Sequence, residues 1–108
     1  MKIYKLFSVL FFLLMTNITG IGQDKNSPSP FIFIQVTDPQ FGFYEENRGF
    51  GKETELYEKA VNEINRLNPD FVVITGDLVN NKEDKNQIAE FKRITAKINS
   101  GILVYYSP

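Results

Sequence analysis

A chain of 108 residues with 12 basic and 13 acidic side chains has room for one domain, and it holds no basic run able to neutralise a phosphate backbone, so a nucleic-acid partner is not expected. It has no cysteine and no histidine, so it forms no disulfide and offers no thiolate or imidazole ligand. Stability must come from a packed core, and the hard-metal donors these residues offer are oxygens.

Residues 1–22 read as a secretory leader. Lys2 and Lys5 precede the apolar run from Leu6 to Met15, and Thr16 to Gly22 is small and polar enough to be a cleavage region. The apolar run is roughly ten residues long against the about 20 that span a bilayer, so no stable membrane anchor is expected. The alternative is an N-terminal anchor that stays attached. An exported product, periplasmic or secreted, follows from the first reading. Residues 23–30, ending in Ser27-Pro28-Ser29-Pro30, read as a polar spacer. With Lys2 and Lys5 removed, ten basic residues face thirteen acidic ones, a net charge of −3.

Residues 31–108 predict strand, helix, strand, helix, strand, an α/β pattern. The first strand is the run Phe31-Ile32-Phe33-Ile34-Gln35-Val36-Thr37, ending in Asp38-Pro39-Gln40-Phe41-Gly42. A loop rich in aromatics and glycine runs from there to about Lys52. Its aromatics between Phe41 and Phe50 form either a cover over the core edge or one wall of a substrate cleft. A helix follows, with Leu56, Ala60, Val61, Ile64 and Leu67 on one buried face and Glu55, Glu58, Lys59, Asn62 and Arg66 opposite. Asn68-Pro69-Asp70 stops it.

The second strand, Phe71 to Thr75, is apolar at four consecutive positions, a pattern of burial on both faces of a parallel sheet. Asp84-Lys85-Asn86-Gln87 has the form of a capping box, with Asp84 accepting from the first turn and Gln87 reaching back. The helix it opens carries Ile88, Phe91, Ile94 and Ile98 on one stripe and is predicted to end at Asn99-Ser100-Gly101 in a left-handed glycine. Ile102 to Tyr106 is the third strand.

Asp38 and Asp77 each stand where a strand breaks into a turn. Parallel strands joined through a helix point their carboxyl ends the same way, so both carboxylates face one crevice at the edge where open α/β sheets bind ligands. Two carboxylates there suit hard divalent cations, and a carboxylate can bridge two of them. The plainer alternative is turn chemistry at both places, with Asp38-Pro39 and Gly76-Asp77 only closing their strands. Asn80 and Asn81 read as loop residues.

The blocks Val36 to Gly42 and Asn68 to Asn80 resemble the first two metal-binding blocks of the calcineurin-like metallophosphoesterases. The family's first block is usually Asp-x-His, and here Gln40 fills the histidine place. The Asp-Pro-Gln-Phe-Gly form is similar to a subgroup of the family. The resemblance implies the βαβαβ portion of a metallophosphoesterase-type layered sandwich. It also implies two divalent metals (Mn, Fe, Zn or Mg), with Asp38 on the first, Asp77 bridging both, and Gln40 contributing its amide oxygen. The substrate implied is a phosphorylated small molecule or protein. Such metals lie about 3.5–4 Å apart and act together on a phosphate ester.

The family's third block, Gly-Asn-His followed by Asp or Glu, is expected just beyond a strand like Ile102 to Tyr106, and it is not in this sequence. Residues 31–108 therefore read as the first part of the family domain, incomplete and without turnover of its own. The other reading is an inactive exported fragment or a weak cation-binding remnant. A covalent aspartyl-phosphate mechanism fits less well, because its first strand usually ends in Asp-x-Asp and Gln40 stands at the second carboxylate's place.

Overall fold

The structure, a computed structural model, describes residues 28–107. The expected leader, residues 1–22, and the start of the spacer lie outside the described residues. Strand β1 (Phe33–Thr37), helix α1 (Gly51–Leu67), strand β2 (Phe71–Thr75), helix α2 (Lys85–Thr95) and strand β3 (Leu103–Ser107) follow one another in the predicted order. The sheet is parallel throughout, in the order β1-β2-β3. Thr37 pairs with Thr75, and Thr75 in turn with Ser107, so all three strands end level. Two crossovers of the same hand put both helices on one sheet face.

On that face Val72 and Ile74 of β2 are fully buried against Val61, Ile64 and Ile94. The other face carries Phe33, Gln35 and Thr37 beside Phe71, Val73 and Thr75, and then Leu103 and Tyr105. Burial of β2 on both faces, expected from its unbroken apolar run, is therefore met on one face only. Phe71 and Val73 are half-buried, Phe33 is 52% and Tyr105 53% exposed, and no described residue forms a layer over them. Their rings shield each other instead, Phe33 stacking on Phe71 with centroids 5.3 Å apart and Tyr105 meeting Phe71 edge-on at 5.8 Å. β1 begins two residues later than its apolar run, because Ile32 exchanges hydrogen bonds with Asp70 rather than with a strand: its N–H donates to the Asp70 carboxylate at 2.7 Å.

Helix α1 buries a different stripe from the one its aliphatic residues predict. Glu53, Tyr57, Val61 and Ile64 lie inside, while Leu56 and Leu67 are 42% and 47% exposed at its rims. Tyr57 draws the helix round, because its ring stacks on Phe91 at 5.6 Å and its hydroxyl meets that of Thr95 at 2.9 Å. Burial pushes the Tyr57 phenol above its ordinary pKa, against the opposing effect of the Thr95 hydrogen bond. Glu58, expected on the outer face, instead lies toward α2 and takes Lys97 and Arg93 at 2.6 and 3.0 Å. Asn68 closes α1 in the left-handed region (φ 48°), with its N–H donating to the Ile64 carbonyl at 2.9 Å.

Only half of the predicted capping box at α2 forms. Asp84 accepts from the N–H groups of Asn86 and Gln87 at 2.9 and 3.3 Å, but the Gln87 side chain does not reach back to Asp84. It is fully buried and bonded to Asn47 and Asn81 instead. The helix also stops earlier than predicted, at Thr95, with Ala96 as its cap. The Thr95 hydroxyl donates back to the Phe91 carbonyl at 2.7 Å, and Lys97 and Ile98 close tighter turns on Ile94 and Thr95. Gly101 is outside the left-handed region, so it does not supply the predicted cap.

Candidate metal site at the carboxyl edge

The pairing of β1 with β2 continues past the regular strands. The Asp38 N–H donates to the Thr75 carbonyl at 2.9 Å, Gln40 to Asp77 at 3.0 Å, and Phe41 to Leu78 at 3.2 Å. A parallel bridge between Phe41 and Val79 extends this, and the Asn80 N–H donates to the Phe41 carbonyl at 2.8 Å. The two turn segments therefore run side by side, which is why residues 39 positions apart in sequence meet here. Holding them so requires unusual backbone. Asp38 and Gln40 have φ of 49° and 39°, and Gly76 and Gly42 have φ of 74° and 97°. Aspartate tolerates the left-handed region; glutamine adopts it rarely, and such strain gathers at functional positions.

The structure brings together all three residues singled out from the sequence. The Asp77 N–H donates to Asp38 Oδ1 at 3.0 Å, which seats the Asp38 carboxylate against the Gly76-Asp77 turn. Gly76 makes this approach possible: a Cβ built there would lie 2.4 Å from Asp38 Oδ1. Asp38 and Asp77 are both exposed to solvent, and Gln40 is half-buried beside them. Gln40 spends its Nε2 on Asn80 Oδ1, 3.3 Å away. An amide whose nitrogen is engaged in this way has its oxygen left for another partner.

Two hollows flank this edge. One, of about 210 Å³, lies between β1 and α1 and is lined by Thr37, Asp38, Tyr44, Glu53 and Leu56 among others. Glu53 is buried there; one oxygen accepts from the Tyr44 N–H at 2.8 Å and the other has no hydrogen-bond partner. The second, of about 450 Å³, opens beside Asp77 and is lined by Gly76, Leu78, Lys82 and Ile88.

Donor chemistry decides what the edge could hold. Among the described residues no three or more His, Cys, Asp or Glu side chains cluster as a metal cage. The candidate set is two carboxylates and one carboxamide oxygen, the donor chemistry of a hard cation that takes oxygen ligands and keeps water in its remaining positions, and Gly76 leaves the space in which the Asp38 carboxylate sits.

The sequence reading missed four residues here. Asn80, read as loop, is the partner of Gln40; Asn47 and Gln87 support Asn80; and Glu53 sits inside, not on a solvent face. The loop aromatics divide between core and surface. Phe41 is fully buried in the core and Phe50 half-buried beside it, whereas Phe43 and Tyr44 are exposed.

The chain is similar to curated proteins named serine/threonine-protein phosphatase CPPED1. It is 34% identical to the Rattus norvegicus protein over 95 residues, which cover 74% of this chain and 30% of that protein. The Bos taurus protein is 35% identical over the same shares, and the Homo sapiens protein 35% identical over 68% of this chain and 28% of its own length. The chain thus spans about 30% of the length of the curated relatives it matches. No family model matches the chain, and no solved structure matches it. These likenesses support the resemblance to the calcineurin-like phosphoesterase family.

Proposed function

We propose that this chain carries the first metal-holding part of a metal-dependent phosphoesterase of the calcineurin-like type, in its Asp-Pro-Gln-Phe-Gly subgroup. The observation that carries this reading is the Asp38 carboxylate seated on the Asp77 N–H at the shared carboxyl edge of two parallel strands. The likeness to serine/threonine-protein phosphatases supports a phosphate ester, on a protein or a small molecule, as the substrate class. The oxygen donors of Asp38, Gln40 and Asp77 suit hard divalent cations such as Mn²⁺ or Mg²⁺.

In this reading Asp38 and Asp77 would supply the carboxylates that hold the cations, and Gln40 would lend its amide oxygen. Bound cations of this kind neutralise phosphate charge and lower the pKa of a water nucleophile. The chain's own residues work by position. The Asp77 N–H fixes one Asp38 oxygen and leaves the other for a cation, and the backbone pairing of 38–41 with 75–80 keeps both turns from opening.

The test is Mn²⁺ titration of the chain by calorimetry. Binding is expected to be weak, because three donors leave half of an about six-coordinate shell to water. Asp77→Asn and Asp38→Asn should each weaken it by more than the about 10–100-fold typical of outer-layer partners. A tight site that survives Asp77→Asn refutes the assignment. In a chain that also carries the histidine block, both substitutions should remove most Mn²⁺-dependent hydrolysis of p-nitrophenyl phosphate or its diester.

The same proposal places the protein outside the cytoplasm. Lys2 and Lys5 ahead of Leu6 to Met15 should direct export, with cleavage after about residue 22. Mass spectrometry of cell fractions should find a mature chain starting near Gln23; an intact chain retained in the cytoplasm contradicts it. Among the described residues no helix is long and apolar enough to cross a membrane.

A further inference from the structure

We infer that Asn80, Asn47 and Gln87 are positioning residues that fix which end of the Gln40 carboxamide faces the Asp38–Asp77 edge, with their common polarity set by a single backbone N–H. The inference rests on the reading of Gln40 as an oxygen donor to a cation.

A carboxamide presents nearly the same shape whichever way it is turned, yet one end accepts and the other donates. An unrestrained Gln40 could offer N–H groups to a cation as readily as an oxygen, and only the oxygen binds. The chain of hydrogen bonds removes that freedom. The Asn81 backbone N–H, which can only donate, points at Gln87 Oε1 at 2.9 Å. Gln87 must therefore turn its Nε2 the other way, where it donates to Asn47 Oδ1 at 3.0 Å. The same Asn47 oxygen accepts from Asn80 Nδ2 at 2.8 Å. Asn80 is thereby turned so that its Oδ1 faces Gln40, and it accepts from Gln40 Nε2 at 3.3 Å. Gln40 Oε1 is the acceptor left over at the end of the relay.

The fold is built around these amides. Gln87 is fully buried at the start of α2, where an uncommitted amide would be costly. Gly42 leaves the slot it occupies: with φ of 97°, a Cβ there would lie 2.2 Å from Gln87 Nε2 and 3.0 Å from Asn47 Oδ1. This also explains why Gln87 abandons the capping box. Asn47 and Asn80 are exposed, so each can be altered without opening the core.

Two measurements on the 108-residue chain test the relay. The first needs no metal: the side-chain amide resonances of Gln40 in the ¹⁵N-labelled chain. Asn80→Ala should move them toward free-glutamine values, and Asn47→Ala should move them in the same direction. The second is Mn²⁺ affinity in a cycle of Asn80→Ala and Gln40→Glu. Asn80→Ala should weaken binding about 10–100-fold on its own, as outer-layer partners do. Combined with Gln40→Glu it should cost nothing further, because a carboxylate offers an oxygen in either orientation. Unmoved Gln40 resonances in both alanine variants overturn the relay. An equal loss of affinity with and without Gln40→Glu overturns its orienting role. If the parent chain binds no Mn²⁺, the cation reading of the edge fails, and the resonances still decide the relay.

Discussion

Gly76→Ala should both destabilise the chain and empty the candidate metal site. Position 76 has φ of 74°, where a side chain costs about 1–2 kcal/mol. The new Cβ would also meet the Asp38 carboxylate at 2.4 and 2.9 Å, well inside contact distance, so the carboxylate must leave the Asp77 N–H. The backbone cannot yield instead, because Asp38 is tied to Thr75, and Gln40 to Asp77, by the hydrogen bonds that extend the sheet. Thermal unfolding followed by circular dichroism should show a lower midpoint, by about 4–8 °C per kcal/mol for a domain of this size. Mn²⁺ affinity should fall below detection. Gly101→Ala is the internal control: its φ is not left-handed and a Cβ there meets nothing within 4 Å, so neither property should move. Parental affinity in Gly76→Ala would show that Asp38 is not held where a cation needs it.

The same turn shows which parts of this molecule are legible in its sequence. Element order is legible because runs such as Phe71 to Thr75 and the spacing of Val61 and Ile64 each bury enough apolar surface to dominate local choice. The Asp38–Asp77 pair is legible because parallel topology alone brings strand ends together. What the sequence hides depends on competition between partners. Leu56 looks as apolar as Tyr57, but only Tyr57 finds both a stacking ring and a hydroxyl across the helix pair. Asp84 and Gln87 have the spacing of a capping box, but the slot left by Gly42 seats the buried Gln87 side chain between two other partners, Asn47 and the Asn81 N–H. Thr95 ends α2 through its own side chain, before the glycine that composition favours. Asn80 carries no pattern of its own; its importance arises from a residue 40 positions away.

Phe41→Ala should be more damaging than any change at the site itself. Phe41 is 0% exposed and sits among three rings, with centroids 5.8 Å from Tyr57, 6.2 Å from Phe50 and 6.3 Å from Phe91, all edge-on. Truncating a buried phenylalanine costs about 3–5 kcal/mol. A small domain has only about 5–15 kcal/mol in total and should stand near the bottom of that range, more so with one sheet face left uncovered by the described residues. The ring also anchors function, because the Phe41 backbone donates to Leu78 and accepts from Asn80, between Gln40 on one side and Gly42 on the other. Losing the anchor frees the segment that aligns Asp38 with Asp77. Phe41→Ala should therefore show no cooperative thermal transition at a temperature where the parent chain is folded. Phe41→Leu, which keeps most of the apolar volume, should retain a transition with a lower midpoint. Phe43, two residues on and 56% exposed, gives the contrast: Phe43→Ala should change stability by no more than about 0.5 kcal/mol, as surface substitutions do. Similar midpoints for Phe41→Ala and Phe43→Ala would mean that the 41–50 loop packs on the cleft side, and that the ring cluster does not hold the site to the core.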